Sequence, residues 1–293
     1  MTVVVGYLCG KGGAAPLRLG VAAARSARTS LTVATIVSKP WLTPPSVRTD
    51  TRYGTWADQL AAESAEEAQG HIAALPNGLS VDYRRYADRS ASGGLVQVVE
   101  DLSADLLVLG SSADGKPGQI EVGSTADRLL HSSPVPVAIA PCGYRGAGAG
   151  RFTRITCAYP GTPEAVPVVQ RSAEMAEQLG LPLRVVTFAV RGRTMYPPEV
   201  GLHAEDSILV AWEEHARELL AQLRADGVVG QDAVLQVVAG NGWGQVLGVA
   251  DWQDGEILAL GTSPRGGAKR VFLGSRATKI MRHSPVPVLV LPG

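Results

Sequence analysis

Two stretches of the chain carry residue types that could hold an anion. One reads LGSSADGKPGQIEVGSTADRLL, from Leu109 to Leu130; the other reads LGTSPRGGAKRVFLGSRATKIM, from Leu260 to Met281. Each has an apolar run ending in glycine (Gly110, Gly261), a glycine-bearing loop (Gly115 in the first), and a Gly-Ser pair opening a helical pattern (Gly123-Ser124, Gly274-Ser275). Backbone N–H groups at a loop and a helix start point outward, glycine lets a phosphate come close, and the serine adds a hydroxyl. Arg265, Lys269 and Arg270 in the second loop, and Lys116 in the first, could add charge. The chemistry these residues suit is phosphate binding.

Other apparent motifs fail on spacing. In GYLCGKGG, Gly6 and Gly10 enclose three residues where a P-loop needs four, and Lys11 is followed by Gly12, not by Ser or Thr. GSSADG has Asp114 where a nucleophile elbow has its second glycine. His71, His131, His203, His215 and His283 show no paired metal-ligand spacing, so no metal is expected. No Ser-His-Asp set and no spaced carboxylate pair stands out, and the expectation is a protein without catalytic residues.

The elements that position the two stretches repeat along the chain. Gly110, Gly123 and Ser124 map onto Gly261, Gly274 and Ser275 with one offset of 151, and Leu109 and Ala126 map onto Leu260 and Ala277. A period of this length means two copies of a domain. The division proposed is residues 1–143, a Gly/Ala-rich flexible linker at 144–152, and residues 153–293. Each half alternates β-branched runs with helical patterns. TVVVGYL and RITCAY read as first strands, LTVATIV and LRVVTFAV as second, VDYRRYA and AVLQVVA as third, and DLLVLG and EILALG as fourth. Gly180 is the expected stop of a helix over EAVPVVQRSAEMAEQLG. Long helices are expected over residues 56–75 and 208–224, the latter capped by Ser207 and closed by Asp226-Gly227. Third helices are expected over GLVQVVEDL and QVLGVADW. The order βαβαβαβαβ, twice, predicts two doubly wound parallel five-stranded sheets, in which ligands bind beyond the carboxyl ends of the strands. The segments after each second strand carry Pro44-Pro45 and Pro197-Pro198 and read as lids or binding segments.

A fifth strand in each half is written SPVPVAIAP (Ser133–Pro141) and SPVPVLVLP (Ser284–Pro292). Proline places such a strand at a sheet edge, and an exposed apolar edge is an aggregation hazard. Two matching edges in one chain predict that residues 137–140 run antiparallel to residues 288–291, making an intrachain pseudo-dimer. A further homodimer stays open.

With 293 residues, 45% hydrophobic and 18% charged, the chain is ordinary globular material for about two domains. Zero formal net charge argues against nucleic acid as a partner. No apolar run approaches the roughly 20 residues of a membrane span. The N-terminal MTVVVGYLCG reads as a strand, not a signal peptide. Three cysteines without a CxxC pair fit a reducing cytoplasm.

The Gly110–Gly123-Ser124 and Gly261–Gly274-Ser275 spacings, followed by Ser-Pro-Val-Pro-Val, resemble the C-terminal signature of the universal stress protein family. With the matching element order the resemblance spans nearly the whole chain as two tandem domains. It implies a non-enzymatic stress-response module with ATP as its ligand. The implied binding residues are Gly110, Ala113, Gly115, Gly123, Ser124 and Thr125 in the first half, and Gly261, Gly274, Ser275 and Arg276 in the second. The sequence departs from the family pattern where a glycine is replaced by Ala113 and by Pro264. It departs again where a first-strand Asp is replaced by Leu8 and by Pro160. Those departures favour a second reading, a nucleotide-free scaffold working through protein contacts. A third is an ATP-using enzyme of a related α/β fold, which would need a catalytic lysine or a metal-binding carboxylate.

Overall fold

The computed structural model describes residues 1–11, 13–39, 47–75, 78–191, 202–264 and 271–292. The first half runs β1 (Val3–Gly6), α1 (Ala15–Ser26), β2 (Leu31–Ser38), α2 (Val47–Ala73), β3 (Val81–Asp88), α3 (Ala91–Asp101), β4 (Leu106–Gly110), α4 (Ser124–Ser132) and β5 (Val137–Ala140). The second runs β6 (Arg154–Ala158), a 3-10 turn (Pro163–Ala165), α5 (Val166–Leu179), β7 (Leu183–Arg191), α6 (Leu202–Ala225), β8 (Val234–Asn241), α7 (Gly242–Gly248) and β9 (Glu256–Gly261). A two-residue hairpin of β10 (Ser263–Pro264) and β11 (Val271–Phe272), then α8 (Ser275–His283) and β12 (Val288–Leu291), complete it.

All ten main strands form one sheet in the order β3-β2-β1-β4-β5-β12-β9-β6-β7-β8. Every neighbouring pair is parallel except the central one, where Val137, Ala138 and Ile139 pair antiparallel with Val290, Leu289 and Val288. The twice-written strand is therefore the seam, each copy at the edge of its own half and covered by the other. Pro134, Pro136, Pro285 and Pro287 lie just ahead of the paired residues and cost the ladder no donor. The apolar strand runs follow from burial on both faces. Val3 and Val5 pack into one core layer with α1 and α5, while Val4 packs into the other with α3, α4, α7 and α8. Each layer runs unbroken through both halves, since Ala138 and Leu289 share the first and Ile139 and Val288 the second.

Several elements differ from the sequence expectation. α2 begins at Val47 and α6 at Leu202, well before Trp56 and Ile208, so Ser207 lies inside α6 and is not its cap. α7 stops at Gly248, short of the expected Trp252. The segment read as a flexible linker is pinned: the amide of Phe152 donates to Ser26 Oγ at 2.8 Å, and that of Gly148 to Asp254 Oδ2 at 2.7 Å. Gly180 does end α5, with φ 63° and ψ 38°.

At the amino-terminal ends of β6, β7 and β9 sits a buried ionic cluster. Glu256 is fully buried and accepts from Arg154 Nη2 at 2.6 Å, Arg184 Nη2 at 2.8 Å, the Gln253 amide at 2.8 Å and the Thr156 hydroxyl. Arg184 also donates to the Ala250 carbonyl at 2.6 Å and lies 5.0 Å from the Trp252 ring centre. Burial lowers the Arg184 pKa, against the opposing pull of Glu256. This cluster closes the end of the sheet opposite to the glycine loops.

Candidate functional site

Beyond the carboxyl ends of β1, β2 and β4 the first half encloses a cavity of about 590 Å³. Its two ends differ in chemistry. The polar end is formed by Gly10, Lys11, Ser111–Asp114 and Gly123–Thr125. The apolar end is formed by Ala34, Ile36, Leu95, Leu109 and Ala126. At the polar end, α4 opens with Gly123 as its cap, and no side chain caps it. Its first intrahelical bond runs from the Asp127 amide to the Gly123 carbonyl at 2.9 Å. The amides of Ser124, Thr125 and Ala126 therefore point out of the helix end without a helical partner, where the helix dipole favours negative charge.

The loop facing this helix end is held rigidly. Ser112 donates its amide to the Glu121 carbonyl at 2.8 Å, and the Glu121 amide donates to Ser111 Oγ at 2.7 Å. The Gly115 amide donates to the Ser112 carbonyl at 3.0 Å, closing a turn around Ala113 and Asp114. A Cβ on Gly115 would come within 3.0 Å of Ser111 Oγ and 3.1 Å of Glu121 Cβ and of the Ser112 carbonyl oxygen, so a side chain there would have to push the turn apart by a few tenths of an ångström. Ala113 keeps a negative φ, so it takes the glycine position of the family pattern without backbone strain.

The glycines serve different ends. A Cβ on Gly110 would lie 3.2 Å from Pro16 Cδ, and one on Gly261 only 2.3 Å from Val168 Cγ2. Their bareness lets α1 and α5 close down on the strands. Gly123 and Gly274 have ordinary extended backbones, and a Cβ on either would meet nothing nearer than 3.8 Å within the protein. At these two positions the missing side chain leaves open the space over a helix start.

In the second half the corresponding cavity has a volume of about 480 Å³. Pro160, Thr162, Glu164, Thr262, Gly274, Ser275 and Arg276 stand on its polar side. α8 repeats the exposed helix start, its first bond running from the Thr278 amide to the Gly274 carbonyl at 3.0 Å. The side chain of Arg276 turns away from that start. Its Nη2 donates to the Phe188 carbonyl at 2.9 Å, and its guanidinium carbon lies 5.9 Å and 5.8 Å from the ring centres of Trp212 and Trp243. Partial desolvation there lowers its pKa. Pro264 pairs with Val271 in the hairpin. Arg265, Lys269 and Arg270 lie outside the described residues, as do the Pro44-Pro45 and Pro197-Pro198 pairs.

Leu8 and Pro160 line the two cavities where the family resemblance puts an aspartate. Besides Asp114, which lines the first cavity, sequence reasoning missed a carboxylate beside each. Glu67, on α2, accepts from the Tyr7 hydroxyl at 2.6 Å and from the Gly10 amide at 3.3 Å, and both of those residues line the first cavity. The Tyr7 bond is the main reason that the Glu67 pKa is held below the usual carboxylate range. Burial, then Glu67, push the Tyr7 phenol well above its ordinary value. Glu164 stands in the 3-10 turn before α5. Both carboxylates lie far in sequence from the glycine loops, with no motif spacing to mark them. Lys11, discarded as a P-loop lysine, lines the first cavity, whereas Lys116 is exposed on the loop outside it. Among the described residues no group of three or more His, Cys, Asp or Glu comes together to hold a metal.

The sequence matches the model of the universal stress protein family twice, over residues 1–141 and 151–292. The chain belongs to the universal stress protein family. Full-length relatives include the universal stress proteins of Mycobacterium tuberculosis and Mycobacterium bovis, each 60% identical over 293 residues and 100% of both chains. Among solved structures, a universal stress protein from Archaeoglobus fulgidus superposes with a TM-score of 0.60 at 15% identity, covering 99% of this chain and 98% of its own. One from Pseudomonas aeruginosa gives 0.57 at 14% identity, covering 99% and 92%. At those identities the likeness is one of fold. Tandem duplication, the parallel doubly wound sheets and the seam are thus properties of a two-domain universal stress protein. No described helix is long and apolar enough to cross a membrane.

Proposed function

We propose that this tandem universal stress protein is a non-enzymatic, cytoplasmic stress-response module that binds an adenine nucleotide, ATP, in its first half. The observation carrying this reading is the two-ended cavity. Unpaired amides of α4 and the turn at Ala113–Asp114 face one end, and an apolar wall suited to a planar base forms the other. Lys11 supplies a cation beside the phosphates, and Ser124 and Thr125 supply hydroxyls. The nucleotide acts as a conformational ligand, and its effect follows from its differential affinity for two states of the protein. Three free cysteines, Cys157 fully buried, fit a reducing compartment.

Gly123→Val is the test. Its side chain would project into the space over the α4 start while touching little of the protein. Calorimetric titration with ATP should give binding to the unaltered protein and at least a tenfold weaker signal for the variant. Equal affinities would overturn the placement. Leu8 and Pro160, in place of a carboxylate, favour a second reading, a scaffold acting through protein contacts. That reading predicts no ATP heat in either protein.

A further inference from the structure

The two cavities are built from equivalent positions, and among the differences between them one bears on where a base could sit. Val5 pairs with Val33 in the first half as Cys157 pairs with Val185 in the second, so Phe188 stands where Ile36 stands. Thr125 and Arg276 are each the second residue of the helix that follows Gly-Ser. Ile36 lies beside Tyr86 and Phe188 beside Val238, so counting on from this register Trp243 of α7 stands where Ala91 stands in α3.

In the first half the apolar end of the cavity reaches from Ile36 on β2 to Ala91 and Leu95 on α3. In the second half the cavity reaches Phe188, but no residue of α7 lines it. Between Phe188 and α7 lies Arg276, bonded to the Phe188 carbonyl and set against Trp212 and Trp243. A planar guanidinium held beside two aromatic rings fills the space between Phe188 and α7, the counterpart of the apolar end of the first cavity. Thr125 is too short to reach the equivalent slot.

We propose that Arg276 determines specificity by filling, in the second half, the place that a nucleotide base takes in the first. The chain then carries one nucleotide site. The second cavity then has no room for the base. This inference rests on the nucleotide reading of the first half.

The test counts ATP bound per chain by calorimetry, using the full chain and Arg276→Thr, which installs the residue of the first half. The expected result is about one ATP for the unaltered protein and about two for Arg276→Thr. In a Gly123→Val background, Arg276→Thr should still bind one, now in the second half, and binding should change emission from Trp212 and Trp243. Near-ultraviolet circular dichroism checks that the variants keep their fold. The reciprocal Thr125→Arg should weaken the first site at least tenfold. Two equivalent sites in the unaltered protein, or one site in both it and Arg276→Thr, would overturn the role of Arg276 while leaving the nucleotide reading in place. No site in the unaltered protein but one in Arg276→Thr would remove the first-half reading and keep that of Arg276. No binding to any of these proteins would overturn both.

Discussion

Replacing Glu256 by Gln tests how the second half is held together beneath its cavity. The side chain is fully buried and is shared by two guanidinium groups, of which Arg184 is 2% exposed and Arg154 10%. Gln keeps the shape but removes the charge, leaving two buried cations without a counter-ion. Breaking a buried pair in this way costs about 3–5 kcal/mol. Arg154 retains its bond to the Asp251 carbonyl at 2.9 Å, and Arg184 its bond to that of Ala250, so the lower part of the range is expected. An unfolding entropy of about 2.1 cal/mol/K per residue, over a chain melting as one unit, converts this to a fall in Tm of about 5–6 °C. Differential scanning calorimetry at neutral pH reads the shift, and its single or split transition reports whether the seam couples the halves. A change of less than about 1 °C would refute the reasoning, because it would mean that the cluster is hydrated and its charges screened.

Ile139→Lys should lower stability by about 3–5 kcal/mol, seen as a lower urea midpoint, because it puts an unpaired ammonium opposite Val288 in the buried seam; an unmoved midpoint would exclude that strand as an interface. Gly261→Ala should cost about 1–3 kcal/mol by forcing a Cβ onto Val168, whereas Gly274→Ala, with open space around it, should cost less than about 1. Reversed order would mean that Gly261 is not a packing glycine. Thiol titration of the native protein should find the half-exposed Cys9 and Cys142 reactive and Cys157 protected until unfolding. Burial pushes the Cys157 thiol up to about 11. Its contribution to stability is whole below the unfolded thiol's value of about 8.5 and is lost as pH rises from there through about 11. A melting temperature flat across that window in the native protein, or one that falls as much in Cys157→Ser, would contradict this.

The fold was legible because its signals are local and repeated. Pro-Val-Pro-Val announced an edge strand twice, and the offset of 151 made the two edges partners; the seam at Val137–Ile139 and Val288–Val290 follows. Gly180 and Gly227, both with positive φ, ended their helices where expected. Helix starts were less legible. α2 and α6 begin at Val47 and Leu202, ahead of the expected Trp56 and Ile208, and Ser207 lies inside α6, because neither helix start carries a local signal strong enough to mark it in the sequence. At the site, the glycines and serines of the loops were readable, but their separate tasks were not. Only the 2.3 Å approach to Val168 shows that Gly261 serves packing. Glu67, Glu164 and the turn of Arg276 toward Trp212 and Trp243 depend on elements distant in the chain, and no spacing rule reaches them.

Small molecules released by denaturing the purified full-length protein, identified and counted by mass spectrometry, test the central claim most directly. The account predicts adenine nucleotide at up to about one per chain. If none is recovered, ATP added before gel filtration should co-elute at that ratio and be lost in Gly123→Val. Protein that neither carries nucleotide from the cell nor retains added ATP would contradict the account and leave the protein-contact scaffold in its place.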